Sequence, residues 1–151
     1  MKFLLLPMIT IGLMGCDQSA QQLQNLDNLN LADSSKLHTL AVNLSNTTDE
    51  GGIVRIELHQ QNDQILEERN IDMSEFSNPI MFQNLKGGYY SVHVYQDIDN
   101  NGQLTMAGVV PQEPLGFSNN PILQGPPTFA MIGFEVTENN TQEIQMIDYR
   151  Y

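Results

Sequence analysis

Val54, Ile56 and Leu58 alternate with Arg55, Glu57 and His59. An apolar–polar period of two held over six residues suits a strand with one buried face and does not suit a helix, whose period is 3.6. The alternation recurs at Leu40, Val42 and Leu44. It recurs again at Tyr90, Val92 and Val94, with Tyr89, Ser91, His93 and Tyr95 on the other face. Ile65 to Ile71 and Ile80 to Leu85 add weaker strands, and Thr128 to Val136 and Gln142 to Tyr149 read as two closing strands around Glu138-Asn139-Asn140. Turn residues separate these runs at Asn46 to Gly52, Gln61-Asn62-Asp63 and Lys86-Gly87-Gly88. Asp72-Met73-Ser74-Glu75 has the spacing of a helix cap, but Pro79 holds any helix there to about a turn. About seven strands without a sustained helical period predict an all-β domain, a single antiparallel β-sandwich over residues 37–151. Met106 to Pro127, dominated by Gly, Pro and Asn, is predicted as one long irregular loop. Such a loop inside a compact domain is usually functional or pinned.

Ahead of the domain, Met1-Lys2 is a short basic start. The apolar stretch Phe3 to Leu13 falls short of the roughly 20 residues needed to span a bilayer. Leu13-Met14-Gly15-Cys16 then resembles the bacterial lipobox, which predicts a lipoprotein signal peptide over residues 1–15 and a lipidated Cys16. Cys16 is the only cysteine of the chain, so no internal disulfide forms, and lipidation accounts for a lone thiol in an exported protein. Several acyl chains would anchor it firmly to a membrane. The expected location is the bacterial cell envelope, with the domain facing the periplasm or the surface. Residues 16–36, rich in Gln, Asn, Ser and Asp, read as the lipidated cysteine and a flexible tether, with a reach of roughly 25 Å.

Charge narrows the partners. The chain carries 6 basic and 18 acidic residues, a formal −12, which becomes −13 once Lys2 leaves with the leader. That field repels nucleic acid and anionic head groups and favours cations, so no nucleic-acid partner is expected. The partners expected are the membrane, through Cys16, and an envelope protein or polymer that the sequence does not identify.

The strand that ends near Gln96 runs into Asp97-Ile98-Asp99-Asn100-Asn101-Gly102-Gln103-Leu104. Oxygen side chains at the first, third and fifth positions and glycine at the sixth match the first half of a calcium loop, carried here by a strand. Asp97, Asp99 and Asn101 offer side-chain oxygens, Gln103 its carbonyl, and Thr105 a hydroxyl or a bridging water. Gly108 stands where an EF-hand has its bidentate glutamate, so Glu113 is the nearest carboxylate that a folded-back loop could supply. Such a site is expected to bind Ca2+ weakly, at about 10⁻⁴–10⁻³ M. The alternative is a bare turn in which Asp and Asn bond their own backbone.

These pieces stand in the order of a known family. Leu85-x-x-Gly88-x-Tyr90-x-Val92-x-Val94-x-x-Asp97-x-Asp99-x-Asn101-Gly102-x-Leu104 is followed by Pro111-x-Glu113, then Gly116-Phe117-Ser118-Asn119-Asn120. Gly125-Pro126-Pro127-x-Phe129 and Phe134-Glu135-Val136 come next. The chain thus resembles the bacterial "domain of unknown function 2141" family of exported proteins. The resemblance covers residues 38–149 in outline and is tightest over 85–136. It implies a small β-sandwich of the prealbumin (transthyretin-like) type with no established activity, and fold alone does not supply function. The chain departs from the family at Thr105, where an acidic residue is usual, and at Val109 and Val110, where a glycine is usual.

The catalytic inventory is thin, and no enzyme is expected. His38, His59 and His93 fall on three separate predicted strands and read as surface residues. Ser118 lacks the second glycine of a nucleophile elbow and reads as a turn residue. The alternatives are an envelope-polymer hydrolase or accessory using Glu113 as its acid or base, and an ion-free scaffold. Phe117, Phe129 and the prolines of the long loop either line a groove beside the ion loop or pack that loop onto the sandwich.

Overall fold

The alternation read from the sequence becomes two facing sheets. A computed structural model describes residues 36–151; the expected signal peptide, Cys16 and all of the expected tether except Lys36 lie outside the described residues. The longer strands are β1 (Leu37–Ser45), β2 (Ile53–Gln60), β3 (Ile65–Asp72), β4 (Ile80–Lys86) and β5 (Gly88–Asp97). Then come β6 (Met106–Ala107), β7 (Val110–Pro111), β8 (Leu115–Phe117), one helical turn α1 (Phe129–Ile132), β9 (Phe134–Val136) and β10 (Asn140–Gln145). One sheet has the order β10-β1-β4. The other runs β3-β2-β5-β8, with β9 on the β8 side of β5, nearer its start. β6 and β7 form a small ladder of their own.

The sandwich is therefore antiparallel with one exception. β1 and β10 pair in parallel, from Leu40 opposite Asn140 to Ser45 opposite Gln145. The two closing strands sit in different sheets, β9 on β5 and β10 on β1, so the Glu138–Asn139 segment crosses the sandwich rather than forming a hairpin. Thr128 to Val136 is not one strand. Phe129–Ile132 coils once, burying only Ile132, and the chain extends after Gly133, where a Cβ would stand 2.6 Å from the Phe129 ring. The Met106–Pro127 loop is also more ordered than its composition suggests, since it contains β6, β7 and β8.

Leu40, Val42 and Leu44 of β1, Phe82 of β4 and Ile144 of β10 meet Val54, Ile56 and Leu58 of β2 and Val92 and Val94 of β5, all buried. Burying each such side chain stabilises by about 1.5–3 kcal/mol. Near the end of β10 the sheets are stitched together. Leu115 and Ile147 exchange both backbone hydrogen bonds, at 3.0 and 2.8 Å. Gly116 permits the approach, because a Cβ there would lie 2.7 Å from Ile144 Cγ2. The Gly116–Asn120 motif continues this role. The Ser118 hydroxyl, fully buried, accepts from the Val92 amide at 2.9 Å and donates to the Ile132 carbonyl at 2.6 Å. The Asn120 amide spans the Glu143 carbonyl and the Gln145 amide of β10. No helix among the described residues is long and apolar enough to cross a membrane.

Candidate functional site

Two features converge on the face of β5 that points away from the core. At its end Asp97 starts the loop, and in its middle His93 lies under the long connector. The Asp97 end comes first in the chain's own logic. The Gln96 amide donates to the Pro114 carbonyl at 2.9 Å, so the segment returning toward β8 is zipped to β5, and Glu113 arrives beside the start of the loop.

Asp97 is fully buried. One carboxylate oxygen accepts from the Asn101 amide at 3.0 Å. The other accepts from the Gly102 amide at 2.9 Å and from Arg55 Nε at 2.7 Å. Gly102, at φ +82, supplies the left-handed turn that aims its amide inward. Asp99 accepts from the Asn101 amide at 3.0 Å and, through its second oxygen, from the Asn101 side chain and the Thr105 hydroxyl. Glu113, only 3% exposed, takes the Ile98 amide on one oxygen at 2.8 Å and the Thr105 amide on the other at 3.0 Å. It clamps both ends of the loop.

Asp97, Asp99, Asn101, Thr105 and Glu113 are thus brought together. Gln103 is exposed, with its amide on the Asn101 side chain. One oxygen from each of Asp97, Asp99 and Glu113 lies within 4.8 Å of the other two. A carboxylate has about four lone-pair positions, so these amide bonds leave acceptor capacity for a cation. Three carboxylates against the one guanidinium of Arg55 leave a formal −2, which suits a divalent ion.

Arg55 was not among the residues read as site members, although it stands in the most regular alternation of the chain. It sits on the outer face of β2 and also donates to the Asn70 side chain at 3.0 Å. Burial alone pushes the Asp97 carboxyl up, but the Arg55 guanidinium and the Gly102 and Asn101 amides together outweigh it and hold the group below the usual aspartate range. A depressed carboxyl stabilises the fold fully above the unfolded value of about 3.9, and that contribution is lost as the pH falls through the lower folded value. Thermal melts between pH 6 and about pH 2 should therefore show the wild type losing more stability below about pH 4 than an Asp97→Asn variant.

Further along β5 the histidines depart from the surface placement read from the sequence. His38 and His59 are buried, and His93 is half-buried. The His59 and His93 rings stack at 4.1 Å between centroids and 14° between planes, and Phe117 meets His93 edge-on at 5.3 Å. A cavity of about 590 Å³ lies over His93 and Phe117, walled by Leu104, Pro127 and Phe129. Both alternatives for the long loop hold in part. Phe117, Pro127 and Phe129 line a groove, while Pro114 is buried against the sandwich. The neighbours of His59 and His93 follow only from the pairing of β2 with β5, which alternation along one strand does not reveal.

No curated protein and no solved structure matches the chain. Residues 42–145 match a family described as "Uncharacterized protein conserved in bacteria" (DUF2141), and since that match takes in more than half of the sequence, the chain belongs to this family.

Proposed function

We propose that the chain is an exported, lipid-anchored cell-envelope protein whose β-sandwich serves as a non-catalytic binding or structural module, stiffened by one Ca2+ ion. Cys16 holds the anchor. Asp97, Asp99, Asn101, the Gln103 carbonyl, Thr105 and Glu113 supply the oxygens. The ion's work is to fix the connector between β5 and β8 and present it to an envelope protein or polymer. One observation carries this reading. Glu113, 16 positions beyond Asp97, is buried with its carboxylate across both ends of the loop, where a third negative charge has no partner of opposite sign among the described residues. The same placement argues against Glu113 as an acid or base, since the carboxylate is buried in the loop and does not line the cavity.

Glu113→Gln tests the reading. A glutamine has one acceptor oxygen, so either the Ile98 or the Thr105 amide faces an NH2 group and loses its bond. The variant should lose about 1–3 kcal/mol in urea unfolding. Its calcium affinity should fall at least about tenfold, as expected when a charged ligand is removed from a site tuned by charge count. An unchanged calcium affinity in a folded variant would remove Glu113 from the site.

A further inference from the structure

We propose that Glu57, His59 and His93 form a second metal site, for a first-row divalent transition ion such as zinc, beneath the cavity on the outer face of the five-stranded sheet. The topology makes the cluster. β2 and β5 pair with Glu57 directly opposite His93 and His59 opposite Ser91, so these side chains share one face. One ligand atom from each of Glu57, His59 and His93 lies within 4.8 Å of the other two.

His59 is held in the manner of a metal-ligating histidine. Its Nε2 lies 2.7 Å from a Glu57 oxygen, while its Nδ1 faces Asp63, 3.4 Å from the carbonyl and 3.3 Å from the carboxylate. Ligating histidines characteristically donate the second ring N–H to such an oxygen, which fixes the ring and raises its basicity. His93 supplies the independent observation. Its Nε2 is buried with no hydrogen-bond partner among the described residues, and so is the Oγ of the fully buried Ser91 beside it. Both residues line the same cavity. Buried polar atoms are nearly always partnered, so two orphans in one wall point to a guest that partners them.

Two imidazoles and one carboxylate suit zinc or copper(II) and do not suit calcium, which takes six to eight oxygens. Three protein ligands leave a tetrahedral ion one position open toward the cavity, for water or a small donor molecule. Rings 14° from parallel do not aim both lone pairs at one ion, so binding requires one imidazole to leave the stack. His93, which borders the cavity, is the ring that would turn.

The test is calorimetric titration of zinc chloride into the full protein, with millimolar calcium present to occupy the Asp97 loop. The result expected is one zinc per chain, a rise in melting temperature, and a cobalt(II) complex with the visible absorption of tetrahedral coordination. His93→Ala and Glu57→Gln should each weaken zinc at least about tenfold. His93→Gln, closer in shape, serves if His93→Ala melts early. Absence of binding at submillimolar zinc overturns the proposal. So does equal affinity in folded His93 and Glu57 variants, which would place the zinc elsewhere.

Discussion

Asp97→Ala is expected to lower the stability of the domain by about 3–5 kcal/mol, the range for removing one partner of a buried ion pair. The cause is what the substitution leaves behind. Arg55, with its side chain 17% exposed, loses the acceptor of its Nε–H and keeps only its bond to Asn70. The Gly102 amide loses its acceptor as well, and the Asn101 amide keeps only Asp99, so the turn that Asp97 organises loses its buried anchor. Urea unfolding measures the loss. Replacing Arg55 by methionine in the same background should recover part of it, since the stranded charge is then gone. A loss below about 1 kcal/mol would mean that the pair behaves like an exposed ion pair, with water serving both partners.

Gly52→Ala should be comparably damaging, and its neighbour supplies the control. Gly51 and Gly52 both have positive φ, +79 and +83. A Cβ on Gly51 meets nothing within 4 Å. On Gly52 it would stand 2.2 Å from the Asp97 carbonyl oxygen and 2.7 Å from Ile98 Cα. Backbone strain alone, at Gly51→Ala, should remove about 1–2 kcal/mol. Gly52→Ala adds displacement of backbone and should exceed about 3 kcal/mol, within the class of severe single substitutions. The displaced backbone is Asp97–Ile98, which begins the ion loop and donates to Glu113. Gly52→Ala should therefore also weaken calcium binding, and Gly51→Ala should not. Equal losses at the two positions would refute the close approach.

The parts of the fold that were legible in the sequence are those in which a strand shows one face to the core. Val54–Leu58 and Tyr90–Val94 declare their period, and the loop after Asp97 declares its turn through Gly102. Glu113 was legible as the nearest carboxylate past Gly108, and the structure brings it to both ends of the loop. What failed was whatever depended on partners across the sheet. The parallel pairing of β1 with β10 follows from the crossing of the chain after Val136, and no local pattern encodes it. Phe129–Ile132 reads as strand from the sequence because a short apolar run has no period long enough to separate helix from strand. Arg55, Glu57, His59 and His93 looked like ordinary outer-face residues. Only the register of β2 on β5 brings His59 against His93 and sets Arg55, opposite Tyr95, diagonally beside Asp97.

The most direct test of the calcium-stiffened loop is calorimetric titration of calcium into the purified wild-type protein, with melting temperature followed in parallel. The account predicts heat with one ion per chain and a dissociation constant of about 10⁻⁴–10⁻³ M. At about 1 mM free calcium and a constant of about 0.1 mM the stabilisation is about 1.4 kcal/mol. For a domain of this size that amounts to a rise of about 4–8 °C. No heat and no rise at millimolar calcium would contradict the account, and the Asp97–Glu113 loop would then be a turn held by Arg55 and its own amides.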